Sequence, residues 1–403
     1  MLRKFGAILG GGAIAQGITF LALPFLARVY GPVGFGILAS VVSAASLLLP
    51  ILHGRYHLAI PLVGFGQRKA LLRLALGLSF LTSIFLAGPL GALSAGSELG
   101  YGLAAVITAL YALTASWIEV LNYWRTTAGR WREASLLIGV RGAVVAGAQF
   151  ALGALSQLGM VFGAIAGQFL IVIASLADRE VRAVFSPRKY NWRMKLLLVA
   201  KRHRGLPLYN APQGLIASAA WNFWPIILVQ FGSANLAGQY WAAYRLFMAP
   251  LVLLNSSYRQ SALTTFGAMN GEKRANTFKN HSFILFACGI FSLAAVYMIS
   301  STIVPLLLGP GWDTAGRLLP ILWVGLLGEL VKLPLMCVCQ AMRKEALLLR
   351  WELGITIVKF SGAAAAWLFF GNLVSALKTY FVLATFCWLC LSFYHVQGKK
   401  FGV

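Results

Sequence analysis

The sequence predicts an all-α, polytopic membrane protein of about twelve transmembrane helices arranged as two pseudo-symmetric six-helix bundles. Three observations predict it. Hydrophobic residues make up 59% of the chain and charged residues 11%, with a mean hydropathy of +0.78, more apolar than a soluble domain covers with polar surface. Windows of about 20 apolar residues, the length that crosses a hydrocarbon core, can be placed twelve times. Lys and Arg fall almost entirely in alternate intervals between those windows.

The first window, 5–28, follows Arg3 and Lys4. It begins like a signal peptide, but the apolar run outlasts an h-region and reads as an uncleaved helix. The remaining windows are 34–54, 70–95, 99–123, 134–155, 158–177, 206–230, 236–258, 280–307, 315–340, 346–370 and 373–396. Pro24, Pro89, Pro225, Pro250 and Pro334 fall inside them and predict kinks.

Of 34 Lys and Arg, 27 lie at the termini or after even-numbered windows, including Arg55, Arg68, Arg125, Arg130 and nine cations from Arg179 to Arg204. Only Arg28 and Arg317 lie on the other side. The positive-inside rule puts both termini in the cytoplasm of a multi-pass inner-membrane protein. The long interval 179–205 divides an N-terminal bundle (1–178) from a C-terminal one (206–403). An even helix number makes both bundles enter the membrane in the same direction, as parallel repeats do. "GPVGFGILAS" and "ANLAGQYWAA" are a faint echo between the halves. Within the linker, "YNWRMKLLLVAKRHR" reads as a basic amphipathic helix on anionic lipid.

A formal net charge of +24 invites a nucleic-acid reading. The cations, however, separate apolar runs instead of forming a patch interleaved with aromatics, so lipid phosphate is the partner expected and nucleic acid is not. The five cysteines sit in apolar windows, and Cys387-Trp-Leu-Cys390 lacks a second ligand pair, which predicts packing and no metal. "GGGAIAQG" lacks the lysine and strand of a phosphate loop and suits close helix packing.

Five cations fall within windows: Arg141, Arg245, Lys332, Lys359 and Lys378. Each costs about 2.5–3.5 kcal/mol at the bilayer centre on insertion scales, so a deep one faces protein or a watery cavity. Lys378 is close enough to the outer end to snorkel. The acids within windows are Glu119, Glu329 and Glu352, of which Glu329 is deep and lies one helical turn from Lys332. Arg245 and Lys359 have no acid within a turn on their own helices. Such cations suit a visiting anion, and phosphate above all, which Arg holds bidentately. The outward intervals carry only Glu98 and Asp313, too little for a metal-dependent or general-base enzyme. Neither an enzyme nor a cofactor is expected.

"RVYGPVGFGILA" followed by "GRYHLAIPL" resembles the first two helices of the bacterial polysaccharide and O-antigen flippases, within the multidrug/oligosaccharidyl-lipid/polysaccharide (MOP) exporter superfamily. The family pattern is R-x-Y-G-P-acid-x-F-G, then R-Y-E-x-A-I-P. Arg28, Tyr30, Gly31, Pro32, Phe35, Gly36, Arg55, Tyr56, Ala59, Ile60 and Pro61 match it, whereas Val33 and His57 replace its two acids. "LLLGPGWDTAGRLLPIL", through Gly309, Trp312, Ala315 and Gly316, resembles that family's outer loop after helix 9. The resemblance implies a central cavity lined largely by helices 1, 2, 7 and 8 that opens alternately to the two sides. It also implies transport of a polyprenyl-diphosphate-linked oligosaccharide for O-antigen, lipopolysaccharide or capsule, alongside polymerase and assembly proteins.

On that basis Arg28, Arg55, Arg141, Arg245, Lys332 and Lys359 are the expected substrate-binding residues and Glu329 the candidate for ion coupling. A drug or metabolite antiporter of the same superfamily is the rival, although organic cations call for deep acids and few bases. A membrane scaffold would need no internal cations.

Overall fold

Fourteen α-helices and no β-strand form among the described residues. The computed structural model describes residues 2–397 apart from 97, 154–155, 186–191, 270 and 343. The middle of the predicted linker, Arg343, Lys399 and Lys400 lie outside the described residues, as do the side chains of Arg3, Lys4 and Arg259.

The two windows 5–28 and 34–54, predicted as separate helices, form one element, α1 (Leu2–Leu52), broken at Gly31 with φ 61° and ψ −177°. Both predicted helices are therefore present, meeting at a one-residue break at Gly31 with no longer loop between them. A straight helix of 51 residues would run about 75 Å, more than twice a hydrocarbon core. The break divides it into two lengths that each suit one crossing. Gly31 adopts the left-handed region without a Cβ penalty, and Pro32 carries no N–H to continue the ladder. The Tyr-Gly-Pro of the motif is therefore the site of the kink.

The single window 70–95 is likewise broken. Here α2 (Phe65–Phe85) and α3 (Ala87–Ser94) meet at 61°. Next come α4 (Tyr101–Thr127), α5 (Trp131–Ala151), α6 (Gly159–Leu176), short α7 (Arg179–Phe185), α8 (Trp192–Arg202) and α9 (Ala211–Phe231). The chain ends with α10 (Ala234–Ala268), α11 (Gly271–Leu308), α12 (Asp313–Ala341), α13 (Glu345–Phe370) and α14 (Leu373–Gln397). Among the described residues nine helices are long and apolar enough to cross a membrane, or ten if α2 and α3 count as one broken span. The twelve windows exceed this because the two helices of α1 are counted together across their kink and because α10 is not among the nine.

Two compact units, 1–241 and 242–403, divide within α10. In the first, α1 packs against α4, α5 and α9. Its helices are joined by buried hydroxyls: Ser94 to Thr108 at 2.7 Å, Ser79 to Ser116 at 2.7 Å, and Thr114 to Gln168 at 2.9 Å. Such bonds hold helices together where lipid supplies no hydrophobic drive. The Tyr30 hydroxyl donates to the Gln149 carbonyl on α5. The two small-residue stretches compared above meet directly: a Cβ on Gly36 would overlap the carbonyl of Ala234, and one on Gly238 the carbonyl of Pro32.

The second unit is built around Phe266, Phe278, Leu335, Cys337, Val338, Cys339 and Trp388. All five cysteines are free. Trp312 of the second motif is 1% exposed, held by turns in which Gly309 and Gly311 have φ of 102° and 86°.

Candidate functional site

The helix α1 ends in an abrupt turn. Gly54 and Arg55 both take left-handed φ, 53° and 58°, and Arg55 is the only non-glycine to do so among the described residues. The chain then enters a 3-10 helix, Tyr56–Leu62. This reversal stacks the rings of His53 and His57 edge to face, with centroids 4.2 Å apart. From α4, Glu119 reaches both: its Oε2 lies 3.3 Å from His53 Nε2 and its Oε1 3.3 Å from His57 Nε2.

Both histidine side chains are fully buried and the Glu119 side chain is 28% exposed. The three residues offer ligand atoms within 4.8 Å of one another, a donor set able to hold a metal ion. Tyr123, one turn along α4, packs its ring 4.6 Å from that of His57. The position where the flippase motif carries an acid is thus occupied by a histidine, and a carboxylate faces it from another helix.

The Arg55 backbone N–H donates to His53 Nδ1 at 3.2 Å, which leaves that ring's proton on Nε2, pointed at Glu119. The Arg55 side chain runs toward α9, where its guanidinium lies against Gly214, and any side chain there would overlap it. Arg55 Nε is buried without a hydrogen-bond partner.

The other expected residues are dispersed. Arg28 is exposed on α1, and Arg141 is half-buried on α5. Arg245 is half-buried on α10 and already engaged by its surroundings. In the second unit Lys332 is 3.9 Å from Glu329, as the spacing predicted, but its shorter contact is with Glu352 of α13 at 2.7 Å. Its ammonium also lies 5.0 Å from the Trp388 ring. Glu352, read from sequence as merely shallow, is therefore the principal partner of Lys332. Lys359 rests over the Tyr380 ring at 4.9 Å.

Sequence reasoning missed His53 and His57. The available signal was the H-x-x-x-H spacing, and nothing local tied it to Glu119, 62 residues beyond His57. At the base of the same unit Arg130 ties Glu133 to Asp178 (2.6 Å) and Glu180 (3.5 Å), joining the start of α5 to the end of α6 and the start of α7.

No protein-family model matches the sequence, and no curated protein does. Solved structures do match the fold. The lipid II flippase MurJ in an inward closed conformation superposes with a TM-score of 0.71 at 11% identity, covering 98% of this chain and 87% of that one. A MOP superfamily transporter from Pyrococcus furiosus, described by the reverse polarity of its binding pocket, gives 0.58 at 13% identity over 99% and 95%. A multidrug resistance MATE family transporter in an outward-facing conformation gives 0.53 at 14% over 99% and 95%. This chain has the MOP superfamily transporter fold.

Proposed function

We propose that this protein is a flippase that moves a polyprenyl-diphosphate-linked oligosaccharide from the cytoplasmic to the outer leaflet of a bacterial inner membrane. The observation that carries the reading is Arg55. Its Nε is buried without a hydrogen-bond partner, and its guanidinium lies in space that only a glycine at position 214 leaves free. A buried donor without an acceptor is costly, and a phosphate oxygen is the acceptor a guanidinium suits best.

The wider charge distribution supports the same class of ligand. Arg55, Arg141, Arg245, Lys332 and Lys359 stand in or beside the spans, and of the acids there Glu329 and Glu352 are already drawn to Lys332. The charge of Lys359 is met by an aromatic face. An anionic diphosphate is a better guest for this set than an organic cation. Of the structures compared above, a lipid II flippase gives the highest TM-score.

In this reading the chain crosses the membrane twelve times, counting α1 as two crossings, with both termini and the basic linker in the cytoplasm. The halves divide at 1–178 and 206–403. The diphosphate meets Arg55 on the cytoplasmic side while the polyprenyl tail stays in lipid, and Arg28 receives it at the outer end. Arg141 and Arg245 line the route, Lys332 and Lys359 favour anionic sugars, and Glu329 is the acid available for ion coupling.

The test is native mass spectrometry in detergent with a polyprenyl-diphosphate-oligosaccharide and the corresponding polyprenol. Retention of the diphosphate lipid alone, weakened by Arg55→Ala and Arg245→Ala, is expected. Equal retention of both lipids would overturn the reading and bring forward a drug or metabolite antiporter.

A further inference from the structure

The cluster at the end of α1 has a geometry that hydrogen bonding alone does not explain. His57 is fully buried, yet neither Nδ1 nor Nε2 makes a hydrogen bond, although Nε2 is only 3.3 Å from Glu119 Oε1. The buried His57 Nε2 thus sits at ion-pair distance from the carboxylate of a partly exposed side chain, without the alignment of a hydrogen bond. With His53 Nε2 they make a set of ligand atoms within 4.8 Å of one another, close enough to share one ion.

The distances agree. A tetrahedral site with bonds of about 2.05 Å to nitrogen and oxygen separates neighbouring ligand atoms by about 3.3–3.4 Å. His53 Nε2 lies 3.3 Å from Oε2 and His57 Nε2 3.3 Å from Oε1, so Glu119 turns one oxygen toward each ring, and the ligand atoms as a set lie within 4.8 Å of one another. The two His-to-Glu separations are long for charge-assisted hydrogen bonds, which fall near 2.7–2.9 Å. Two imidazoles and one carboxylate form a borderline donor set that suits zinc and its first-row neighbours over magnesium or calcium, which prefer oxygen.

We infer that His53, His57 and Glu119 form a binding site for a divalent transition-metal ion of the zinc class, with a fourth position open. The partly exposed Glu119 side chain provides access from outside the cluster. Binding requires His53 to give up the proton on Nε2, so Nδ1 must carry one and the Arg55 N–H that now faces it must turn away. The ion therefore competes with the proton-shared His53–Glu119 pair and acts on the residue that starts the 3-10 helix. The nearby positive charge is Arg55, which lowers affinity, and Glu119 supplies the negative charge that offsets it. The site does not depend on which substrate the protein carries.

The experiment uses full-length protein purified in detergent without a polyhistidine tag, stripped with chelator, then titrated with zinc and assayed for bound metal by elemental mass spectrometry after desalting. One equivalent per chain is expected in wild type, with cobalt giving the absorption of a tetrahedral site. His57→Ala and Glu119→Gln should each weaken binding by at least tenfold. His281→Ala should leave it unchanged, since His281 bonds Tyr258 in the other unit. His57→Cys should restore binding and shift the cobalt spectrum toward that of a thiolate ligand. Absence of stoichiometric metal in monodisperse wild type overturns the inference whatever the variants do. Wild-type affinity in a monodisperse His57→Ala protein overturns it equally.

Discussion

Gly36 of α1 and Ala234 at the start of α10 are packed backbone to backbone, with no room between them for a single methyl group on the glycine. Gly238 is pressed in the same way against Pro32. The contact joins two segments separated by nearly half the sequence, and it dictates the first prediction. Gly36→Ala and Gly238→Ala should each destabilise the protein by about 1–3 kcal/mol or more, the usual cost of overpacking. Gly17→Ala, where a Cβ meets nothing within 4 Å, should be close to neutral. Thermal unfolding in detergent followed by tryptophan fluorescence separates these outcomes.

The pairing of Lys332 with Glu352 gives a second prediction. Removing one partner leaves the other charge without its main contact, and Lys332→Met or Glu352→Gln should each lower stability. The cost falls below the roughly 3–5 kcal/mol of a fully buried pair, because the Glu352 side chain is 41% exposed. Lys332→Met combined with Glu352→Gln should recover part of the loss. A double-mutant cycle on unfolding temperature that showed simple additivity would mean that the two charges are not coupled.

Arg55 and Gly214 should behave as a functional pair. Arg55→Lys keeps the charge and loses the planar fork, so diphosphate-lipid retention should fall by about tenfold or more, in line with the few kcal/mol of a charge-assisted bond. Gly214→Val should displace the guanidinium and reduce retention while leaving Arg55 in place. Both are read by native mass spectrometry, with chromatographic monodispersity checking the fold.

The basic amphipathic helix expected from the linker sequence is α8. It buries Val199 while leaving Met194, Leu197 and Leu198 exposed beside exposed Lys195, Lys201 and Arg202. Burial, and after it the neighbouring Arg202, holds the His203 imidazole below its ordinary pKa, so this residue is neutral at pH 7. The positive charge of α8 is thus carried by Lys and Arg. A dye-labelled Cys at position 197 should shift to the blue in anionic vesicles relative to neutral ones, lose that difference at high salt, and keep it between pH 7 and 8.

The helical class and most span positions were legible because hydropathy and alternating charge act over whole windows. What escaped the sequence was the effect of single backbone dihedrals. Gly31 shortens the interval between two windows to a one-residue kink, and the 61° break before α3 divides another. The Lys332–Glu329 contact could be seen from a spacing of three, whereas the shorter one to Glu352 depends on how α12 and α13 pack. The His53–His57–Glu119 cluster needed both kinds of information: the left-handed turn at Gly54 and Arg55, and the placement of α4 beside it.

The Gly36–Ala234 contact also bears on biosynthesis. About 200 residues separate the two positions, and a ribosome adding about 5–20 residues per second needs on the order of 10–40 s to bridge them. During that interval the glycine notch on α1 has no protein to fill it, and lipid chains or the insertion machinery must cover it. The kinked helix α1 therefore enters the bilayer with an unfinished face, and its final packing waits until most of the first unit has been translated.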